Sequence, residues 1–356
     1  MKYCGNKFNQ TWVVIKYLLS HNLKLTLVRG WNRALAYISV KLKVSRCISK
    51  PVFLFVESAS ICNLKCPFCV CGKGVRKLEN EFMDFSKYKI VIDKTYPYIT
   101  GVGLFLYGEP LLNKDIVRMV EYSTSKGIIS SIHTNMNIMN EDLAEGLVKA
   151  GLFNLVFSVD GYTQSSYSRY RVGGDIAVVF KNIETLIKAR ERLKRDNPVI
   201  AWQYLVNRYN EHEVDLARAA AKRMKVDFFV KNYFQIPEGK RERSAWAPRA
   251  EKYSLYDKDT FQEKQKPQEY CDNLWDTFRV DCEGNVYFCC FVADEKKNNY
   301  GNIFVNSMED LWNSEQLIRA RKLVRGDSLE RNGSLCASCK FLPNNFARER
   351  KGMEKL

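Results

Sequence analysis

The sequence predicts an α/β fold in which six strand–helix units form a partial barrel, followed by a smaller cysteine-rich module. Between about residues 52 and 231, short β-rich runs alternate with longer amphipathic segments, which is typical of βα units around a parallel sheet. Beyond residue 268, six of the twelve cysteines follow one another in a stretch rich in aromatic and turn-forming residues. These two patterns predict a barrel domain and a separate metal-binding module.

The barrel prediction depends on six short runs rich in β-branched and aromatic residues. The predicted strands are Phe53–Glu57, Val102–Leu106, Ile128–His133, Leu155–Val159, Val199–Val206 and Asp227–Lys231. Amphipathic segments near 85–96, 112–125, 141–150, 175–193 and 211–223 fit between them as crossover helices. Because residues that follow parallel strands gather at one mouth of such a fold, motifs at these points are candidate site residues.

The remaining segments are assigned by composition. A stretch rich in Pro, Lys and Arg follows the sixth predicted strand and is expected to be a linker. The predicted organisation is a basic N-terminal helical extension (1–51), the barrel (52–233), the linker (234–268), the cysteine-rich module (269–345) and a basic tail (346–356).

The net charge of +16 is concentrated at the two ends of the chain. Residues 1–56 hold ten Lys or Arg and no Asp or Glu, and residues 340–356 add a net +3, so the core is nearly balanced. Without a basic stripe in the core, we expect no nucleic-acid partner. Cations interrupt every apolar stretch before it reaches the roughly 18 residues of a membrane span.

The basic N-terminus has two interpretations. Residues 12–19 and 27–42 interleave apolar and cationic side chains as an interfacial helix does, which predicts contact with a membrane surface. The alternative is a helical cap that packs on the barrel and leaves its lysines in water. The cysteine count, without a signal peptide, favours metal ligation in a reducing compartment. We therefore expect a cytoplasmic protein, with peripheral contact at the inner membrane face under the first interpretation.

A run of three cysteines directly after the first predicted strand carries the central chemical signal. Cys62, Cys66 and Cys69 are separated by three and then two residues, so their thiolates can converge on one soft metal centre. Three ligands leave a fourth position open for a cofactor or substrate. A zinc site is the alternative, with Cys71 as its fourth ligand.

Polar residues follow the next three strands. Gly108 and Glu109 follow the second strand, where a glycine permits close approach of the backbone and a carboxylate can accept from an ammonium. Asn135 follows the third strand and Ser158 ends the fourth, as ligand-binding groups or as ordinary caps and turn formers. His133 and His212 are expected to be structural or surface residues.

Together these motifs resemble the radical SAM superfamily, over roughly residues 52–345. The resemblance implies that Cys62, Cys66 and Cys69 bind a catalytic [4Fe–4S] cluster whose unique iron chelates S-adenosylmethionine (SAM). It implies further SAM contacts by six residues: Phe68, Gly108, Glu109, Asn135, Ser158 and Arg171. The sequence departs from the family pattern at Tyr107 and Met136, which stand where relatives have glycine.

The cysteine-rich module resembles the SPASM/twitch extension of radical SAM proteins, in which a hairpin and a closing CxxC carry an auxiliary [4Fe–4S] cluster. The ligands that we select are Cys271, Cys289, Cys336 and Cys339, with Cys290 as an alternative to Cys289. Six cysteines, two of them adjacent, favour one auxiliary cluster over two. A structural zinc ribbon is the alternative.

The resemblance implies reductive cleavage of SAM, with electrons from a donor such as flavodoxin or ferredoxin, and hydrogen abstraction from a substrate C–H bond. The expected substrate is a sugar, a cyclitol or a glycosylated lipid precursor, that is, a small-molecule, glycan or lipid-linked compound that is oxidised or epimerised. Peptide modification is the runner-up. A non-catalytic iron–sulfur redox protein is a third possibility, which the complete CxxxCxxC loop disfavours.

Overall fold

The computed structural model describes residues 23–75, 78–231, 236, 239–264, 271–289, 298–327 and 335–339. Its eight strands are β1 (Phe53–Val56), β2 (Gly101–Gly103), β3 (Ile129–Thr134), β4 (Asn154–Ser158), β5 (Val199–Leu205), β6 (Asp227–Lys231), β7 (Thr277–Val280) and β8 (Val286–Tyr287). They form one open sheet in the order β6-β5-β4-β3-β2-β1-β7-β8. All neighbours pair in parallel except β7 and β8, which are antiparallel.

Helices precede, connect and follow these strands. They are α1 (Leu23–Leu42), α2 (Phe85–Thr95), α3 (Ile116–Ser125), α4 (Glu141–Lys149), α5 (Gln164–Tyr170), α6 (Ile176–Arg192), α7 (Val214–Arg223), α8 (Lys240–Trp246), α9 (Asn273–Asp276), α10 (Met308–Trp312) and α11 (Glu315–Arg325). Short 3₁₀ turns lie at Pro110–Leu112, Glu211–Glu213 and Leu335–Ser338. In the described part of the chain, no helix combines the length and apolar character needed to cross a bilayer.

Local sequence explains where the crossover helices begin. The carboxylates of Asp84 and Asp175 accept from backbone N–H groups in the first turns of α2 and α6, and the Asn140 side chain does the same for α4. Such N-caps satisfy donors that have no partner within the helix. The apolar faces of these helices pack on the sheet and form a continuous buried core with its strands.

The predicted partial barrel is confirmed, with all six predicted strands within a few residues of their expected positions. The second strand is shorter than expected and ends at Gly103, and the helix expected from residue 112 begins at Ile116 after a 3₁₀ turn. Helix α5 was not predicted. Within the segment predicted as a linker, α8 and an antiparallel bridge between Tyr256 and Glu263 are present.

The C-terminal module shares the barrel's sheet. Strand β7 pairs in parallel with the whole of β1, from Phe53 beside Thr277 to Val56 beside Val280. Residues 44–49 also lie against the module, because Trp275 Nε1 donates to the Val44 carbonyl and Trp312 Nε1 to the Ser49 carbonyl, both at 2.7 Å. The first barrel strand is therefore held from both sides.

Candidate active site

The C-terminal ends of β1 to β4 bring the predicted site residues to one mouth of the barrel. The loop that follows β1 carries the three cysteines, and its backbone is tied to the segment after α5 because Lys65 N donates to the Val172 carbonyl at 2.9 Å. Cys66 is buried, whereas Cys62 and Cys69 are partly exposed. The loop thus presents its thiols towards the mouth from a fixed backbone.

The three thiols lie close enough to influence one another electrostatically. Burial raises the pKa of Cys62, and it raises that of Cys66 to about 11, with the charges of the other cysteines contributing in the same direction. The pKa of Cys69 is lowered to about 6, chiefly by a hydrogen bond with Cys71. Such mutual influence is expected of thiolates that share one centre.

Donors from other loops point at two of these sulfurs. The Asn135 side-chain amide lies 3.6 Å from Cys62 Sγ, and Arg171 Nη1 lies 4.0 Å from Cys66 Sγ. The backbone N–H of Leu64 also donates to Cys62 Sγ at 3.4 Å. N–H groups around thiolates orient ligands and tune the centre that they hold.

Three thiols on one loop are a donor set that suits an iron–sulfur cluster. Among the described residues, no three His, Cys, Asp or Glu side chains converge as the ligands of one metal ion do. The thiol of Cys71, the fourth ligand in the zinc interpretation, donates to the Ser60 carbonyl at 3.2 Å and is also hydrogen-bonded to Cys69. Three cysteine ligands leave one iron of a four-iron cluster with an open position for a cofactor.

Gly72 contacts the cluster loop and was missed by the sequence analysis. A Cβ atom on Gly72 would lie 2.4 Å from the Cys66 carbonyl oxygen and 2.6 Å from its nitrogen. Only a glycine permits that approach. The sequence signal was a glycine directly after Cys71, but the contact of Gly72 with Cys66 depends on how the loop folds back.

Gly108 and Glu109 occupy the turn after β2. A Cβ on Gly108 would lie 2.1 Å from the Ala59 carbonyl oxygen, so the turn packs directly on the loop before Cys62. The buried Glu109 carboxylate accepts from Leu111 N, Thr134 Oγ1 and Asn135 N at 2.7–3.1 Å. Its pKa is raised by burial, which these bonds oppose. Glu109 therefore joins the ends of β2 and β3 while remaining beside the thiols.

The other predicted SAM contacts also lie at this mouth. Ser158 is buried and accepts from Gln203 Nε2 at 3.2 Å. Arg171 is paired with the buried Asp160 carboxylate through Nε at 2.7 Å. Burial disfavours the charge of Arg171, yet Asp160 and Cys66 raise its pKa above the ordinary value. The pairing of Arg171 with Asp160 was not predicted from the sequence.

An aromatic layer from the linker region covers the cluster loop. The ring of Phe68 lies 5.1 Å from that of Trp246, which is in turn 5.0 Å from Tyr209. Beyond this layer is an open pocket of about 470 Å³, lined by Arg208, Tyr209, Glu211, His212, Ala245 and Arg249. His212, which was expected to be a structural or surface residue, lines this pocket. The pocket itself was not predicted, because residues 234–268 were expected to be a linker.

Three of the predicted auxiliary ligands lie near one buried tyrosine. Burial raises the pKa of Tyr300, and the charges of Cys336, Cys289 and Cys271 raise it further, which places these three thiols in its neighbourhood. Cys339 follows Cys336 by one 3₁₀ turn. Cys282 is not among them, since its thiol donates to the Glu57 carbonyl at 3.1 Å. Cys290 lies outside the described residues.

His133 does not join the thiols. Its ring stacks on Phe105, with centroids 3.8 Å apart, and its pKa is lowered to about 3 by burial, aided by the charge of Lys231. This location supports the structural role expected from the sequence.

Comparison with known proteins agrees with this geometry. Residues 56–201 match the radical SAM superfamily, and residues 271–340 match SPASM, an iron–sulfur cluster-binding domain. A GTP 3′,8-cyclase of Clostridium botulinum (strain Hall) is 30% identical over 195 residues, which are 53% of this chain and 58% of the cyclase. The chain thus spans less than two thirds of that relative.

A longer match is to the tungsten-containing aldehyde ferredoxin oxidoreductase cofactor-modifying protein of Pyrococcus furiosus. It is 25% identical and covers 74% of this chain and 81% of that protein. Among solved structures, Streptococcus suis SuiB bound to S-adenosylmethionine has a TM-score of 0.62 at 16% identity, over 94% of this chain and 82% of SuiB. Native anSMEcpe with bound AdoMet has a TM-score of 0.58 at 17% identity, over 86% and 96%. At these low identities, the two similarities show a shared fold and nothing further.

Proposed function

Because this chain belongs to the radical SAM superfamily and carries a SPASM domain, we propose that it removes hydrogen from a C–H bond of a hydroxyl-rich small molecule, of the sugar or cyclitol class. It is an enzyme whose cofactors are a [4Fe–4S] cluster, SAM and auxiliary iron–sulfur binding in the SPASM domain. The net reaction in this proposal is an oxidation, with electrons for SAM cleavage supplied by a reducing protein such as flavodoxin or ferredoxin.

The proposal gives the chain's own residues distinct tasks. Cys62, Cys66 and Cys69 hold the catalytic cluster, and Arg171 and Asn135 donate towards two of the sulfurs. When bound, the reduced cluster and SAM supply the radical that abstracts hydrogen. Phe68, Gly108, Glu109 and Ser158 lie around the same mouth and are the proposed SAM contacts.

The observation that carries the substrate class is the open pocket next to this mouth, whose lining combines charged side chains with an aromatic ring. Arg208, His212 and Arg249 offer donors, whereas Glu211 offers an acceptor that is already positioned by the backbone N–H groups of Arg249 and Ala250. A hydroxyl group both donates and accepts, so a polyhydroxylated ring satisfies such a mixed lining. The face of Tyr209 adds a flat apolar surface against which a ring can pack.

The auxiliary ligand set supports a net oxidation. Cys271, Cys289, Cys336 and Cys339 together provide four thiolates, so no coordination position is left for substrate. Such a closed site is suited to electron transfer. In this proposal it accepts the second electron from the substrate, while the proton leaves to solvent or to a base at the mouth.

The cluster assignment is tested by replacing Cys62, Cys66 and Cys69 with Ala. Anaerobically reconstituted enzyme is expected to hold about eight iron atoms, and the triple variant about four, because one four-iron cluster loses all its ligands. Reductive SAM cleavage to 5′-deoxyadenosine is expected to disappear. Cys47→Ala is the matched control, since this buried thiol lies in the segment before β1. Cleavage by the triple variant would contradict the assignment.

The substrate class is tested separately, by measuring 5′-deoxyadenosine release with panels of sugars, cyclitols and peptides. A sugar or cyclitol is expected to stimulate release, and Glu211→Gln and Arg249→Gln are expected to raise its KM while leaving uncoupled SAM cleavage unchanged. Stimulation by peptides alone would replace this substrate class with the peptide alternative, without affecting the cluster assignment.

A further inference from the structure

Helix α1 docks on the barrel through its polar side. Its buried residues are Arg29, Asn32, Ala36 and Ser39. The Arg29 guanidinium donates to the carbonyl oxygens of Pro97 at 3.1 Å and Lys126 at 3.0 Å, and to that of Gly127. Asn32 donates to the Lys50 carbonyl at 3.1 Å and accepts from Lys50 N at 2.7 Å. Directed hydrogen bonds to the backbone, together with the burial of Ala36 and the packing of Val40 on the core, hold this helix in place.

The opposite side of α1 is apolar and faces outwards. Leu23, Leu27, Trp31, Ile38 and Leu42 are between 49% and 70% exposed. At 3.6 residues per turn, these five positions fall within roughly a third of the helix circumference. We call them the outward stripe. Lys24 and Lys41 lie at its two edges by the same geometry, and the helix is about 30 Å long.

A contiguous exposed apolar stripe on a folded domain marks an interaction site. We propose that the outward stripe docks the enzyme on the surface of an anionic phospholipid bilayer. The observation that selects this occupant is charge, since residues 23–56 contain seven cations and no acid, and four of these cations, Lys24, Arg33, Lys41 and Arg46, are exposed. Apolar side chains flanked by cations match the acyl boundary and the anionic headgroups of such a surface.

The same charge disfavours a second copy of the chain as the occupant. A symmetric dimer through the outward stripe would bring the cations at its edges, Lys24 and Lys41, against those of a second copy. Like charges placed opposite one another oppose association. The bilayer, by contrast, neutralises these cations.

The position of α1 sets the orientation of a docked enzyme. Its buried contacts are Lys50, Pro97, Lys126 and Gly127, which precede β1, β2 and β3. These lie at the N-terminal ends of the strands, whereas the cluster loop and Glu109 follow the C-terminal ends. The catalytic mouth therefore faces away from the bilayer, separated from it by the length of the strands, about 15–20 Å. This geometry favours substrates that arrive from water over lipid-linked ones.

The test uses the full chain, reconstituted with iron and sulfide, and flotation with vesicles of mixed phosphatidylglycerol and phosphatidylcholine. Leu27→Glu combined with Trp31→Glu is expected to weaken partitioning by about tenfold or more, since it removes apolar contacts and adds repulsion. The matched control is Leu216→Glu with Val305→Glu, which alters equally exposed apolar residues elsewhere. High salt or pure phosphatidylcholine is expected to weaken binding of the unmodified enzyme.

Direct contact is tested with brominated lipids, which should quench the fluorescence of Trp31 in the unmodified enzyme but not that of a Trp31→Phe variant. Flotation of the Leu27 and Trp31 double variant at the level of the unmodified enzyme would overturn the proposal. A lowered melting temperature or altered oligomeric state in that variant, without a change in flotation, would also overturn it by showing that protein covers the stripe. Loss of SAM cleavage on vesicle binding would overturn the orientation.

Discussion

Arg171 links the fold of the barrel to the cluster loop. Its guanidinium is paired with the fully buried Asp160 and reaches towards Cys66 Sγ, while Asp160 Oδ1 accepts from Leu205 N at 2.8 Å. One ion pair therefore joins the ends of β4 and β5 to the cluster loop. The expected SAM contact of Arg171 stays a prediction, and the structure adds a carboxylate partner that orients the side chain.

Arg171→Gln is expected to lower the free energy of unfolding by about 3–5 kcal/mol, because it leaves the Asp160 carboxylate buried without its cation. Urea titration of the anaerobic protein measures the change. Adding Asp160→Asn to this variant is expected to recover part of the loss, since the uncompensated charge is then removed. Equal losses in the single and double variants would show that the pair contributes packing alone.

The burial of His133 makes the free energy of unfolding depend on pH. In the unfolded chain a histidine takes up a proton near pH 6.5, whereas the folded state resists protonation until about pH 3. Below pH 6.5 the unfolded state therefore binds more protons, so the free energy of unfolding falls as the pH is lowered, by up to about 1.4 kcal/mol per pH unit. His133→Gln is expected to flatten this slope in urea titrations between about pH 5 and about pH 7.

The control for this prediction is His212→Gln. The side chain of His212 is 70% exposed, so its removal is expected to leave the pH dependence unchanged. If His133→Gln retained the full slope, the destabilisation in acid would have to arise from carboxylates.

At the scale of elements, strands and crossover helices were predictable because their periodicity is local. In buried strands and amphipathic helices, apolar and polar residues alternate with the burial of each position. The predicted bounds of β6 agree with the structure at both ends. Helix α1 does not follow this rule. Its side chains bind backbone carbonyl groups, which every residue carries. The sequence alone therefore left open which side of α1 faces the barrel.

Some residues of the site could likewise be predicted from the sequence, and others could not. Cysteine spacing and strand ends are properties of the sequence, so the thiols and Glu109 were predictable candidates. The contact of Gly72 with Cys66 and the layer of Trp246 over Phe68 depend on how distant segments fold onto the loop. The second contact escaped prediction because a polar, proline-bearing stretch is typical of a linker, and nothing local indicates that it covers the mouth.

Gly72→Ala tests whether the fold of the cluster loop controls cluster binding. Its added Cβ would meet the backbone of Cys66, which must then move and displace one thiolate. Iron content is expected to fall from about eight towards about four atoms per chain, with little change in helical content by circular dichroism. Gly30→Ala is the control, because nothing lies within 4 Å of its added Cβ, and on α1 it is expected to leave iron content unchanged. Full iron content in Gly72→Ala would contradict this prediction, because it would show that the loop can accommodate the added Cβ and still bind the cluster.

At the scale of the whole molecule, the barrel and the C-terminal module form one hydrogen-bonded sheet. Strand β1 lies between β2 and β7, and the cluster loop leaves directly from β1. The Asn313 side chain further ties the module to the N-terminal segment, since it accepts from Cys47 N at 3.0 Å and donates to the Cys47 carbonyl at 2.9 Å. The catalytic loop is therefore supported by strands from both parts of the chain.

This support does not depend on the auxiliary thiols. Cys336 and Cys339 lie on a 3₁₀ turn near the end of the described chain, outside the paired register of β1 and β7.

Replacing both Cys336 and Cys339 with Ser is expected to remove about four iron atoms while the catalytic cluster and uncoupled SAM cleavage remain, because the two ligand sets are separate. Turnover of the true substrate is expected to fail, since the proposed acceptor of the second electron is lost. Iron analysis, 5′-deoxyadenosine release and product formation measure the three effects. Cys282→Ser is the matched control, because this buried thiol donates to the Glu57 carbonyl and is not one of the predicted ligands. Stoichiometric zinc in the module, with no iron lost from the double variant, would instead establish the zinc-ribbon alternative.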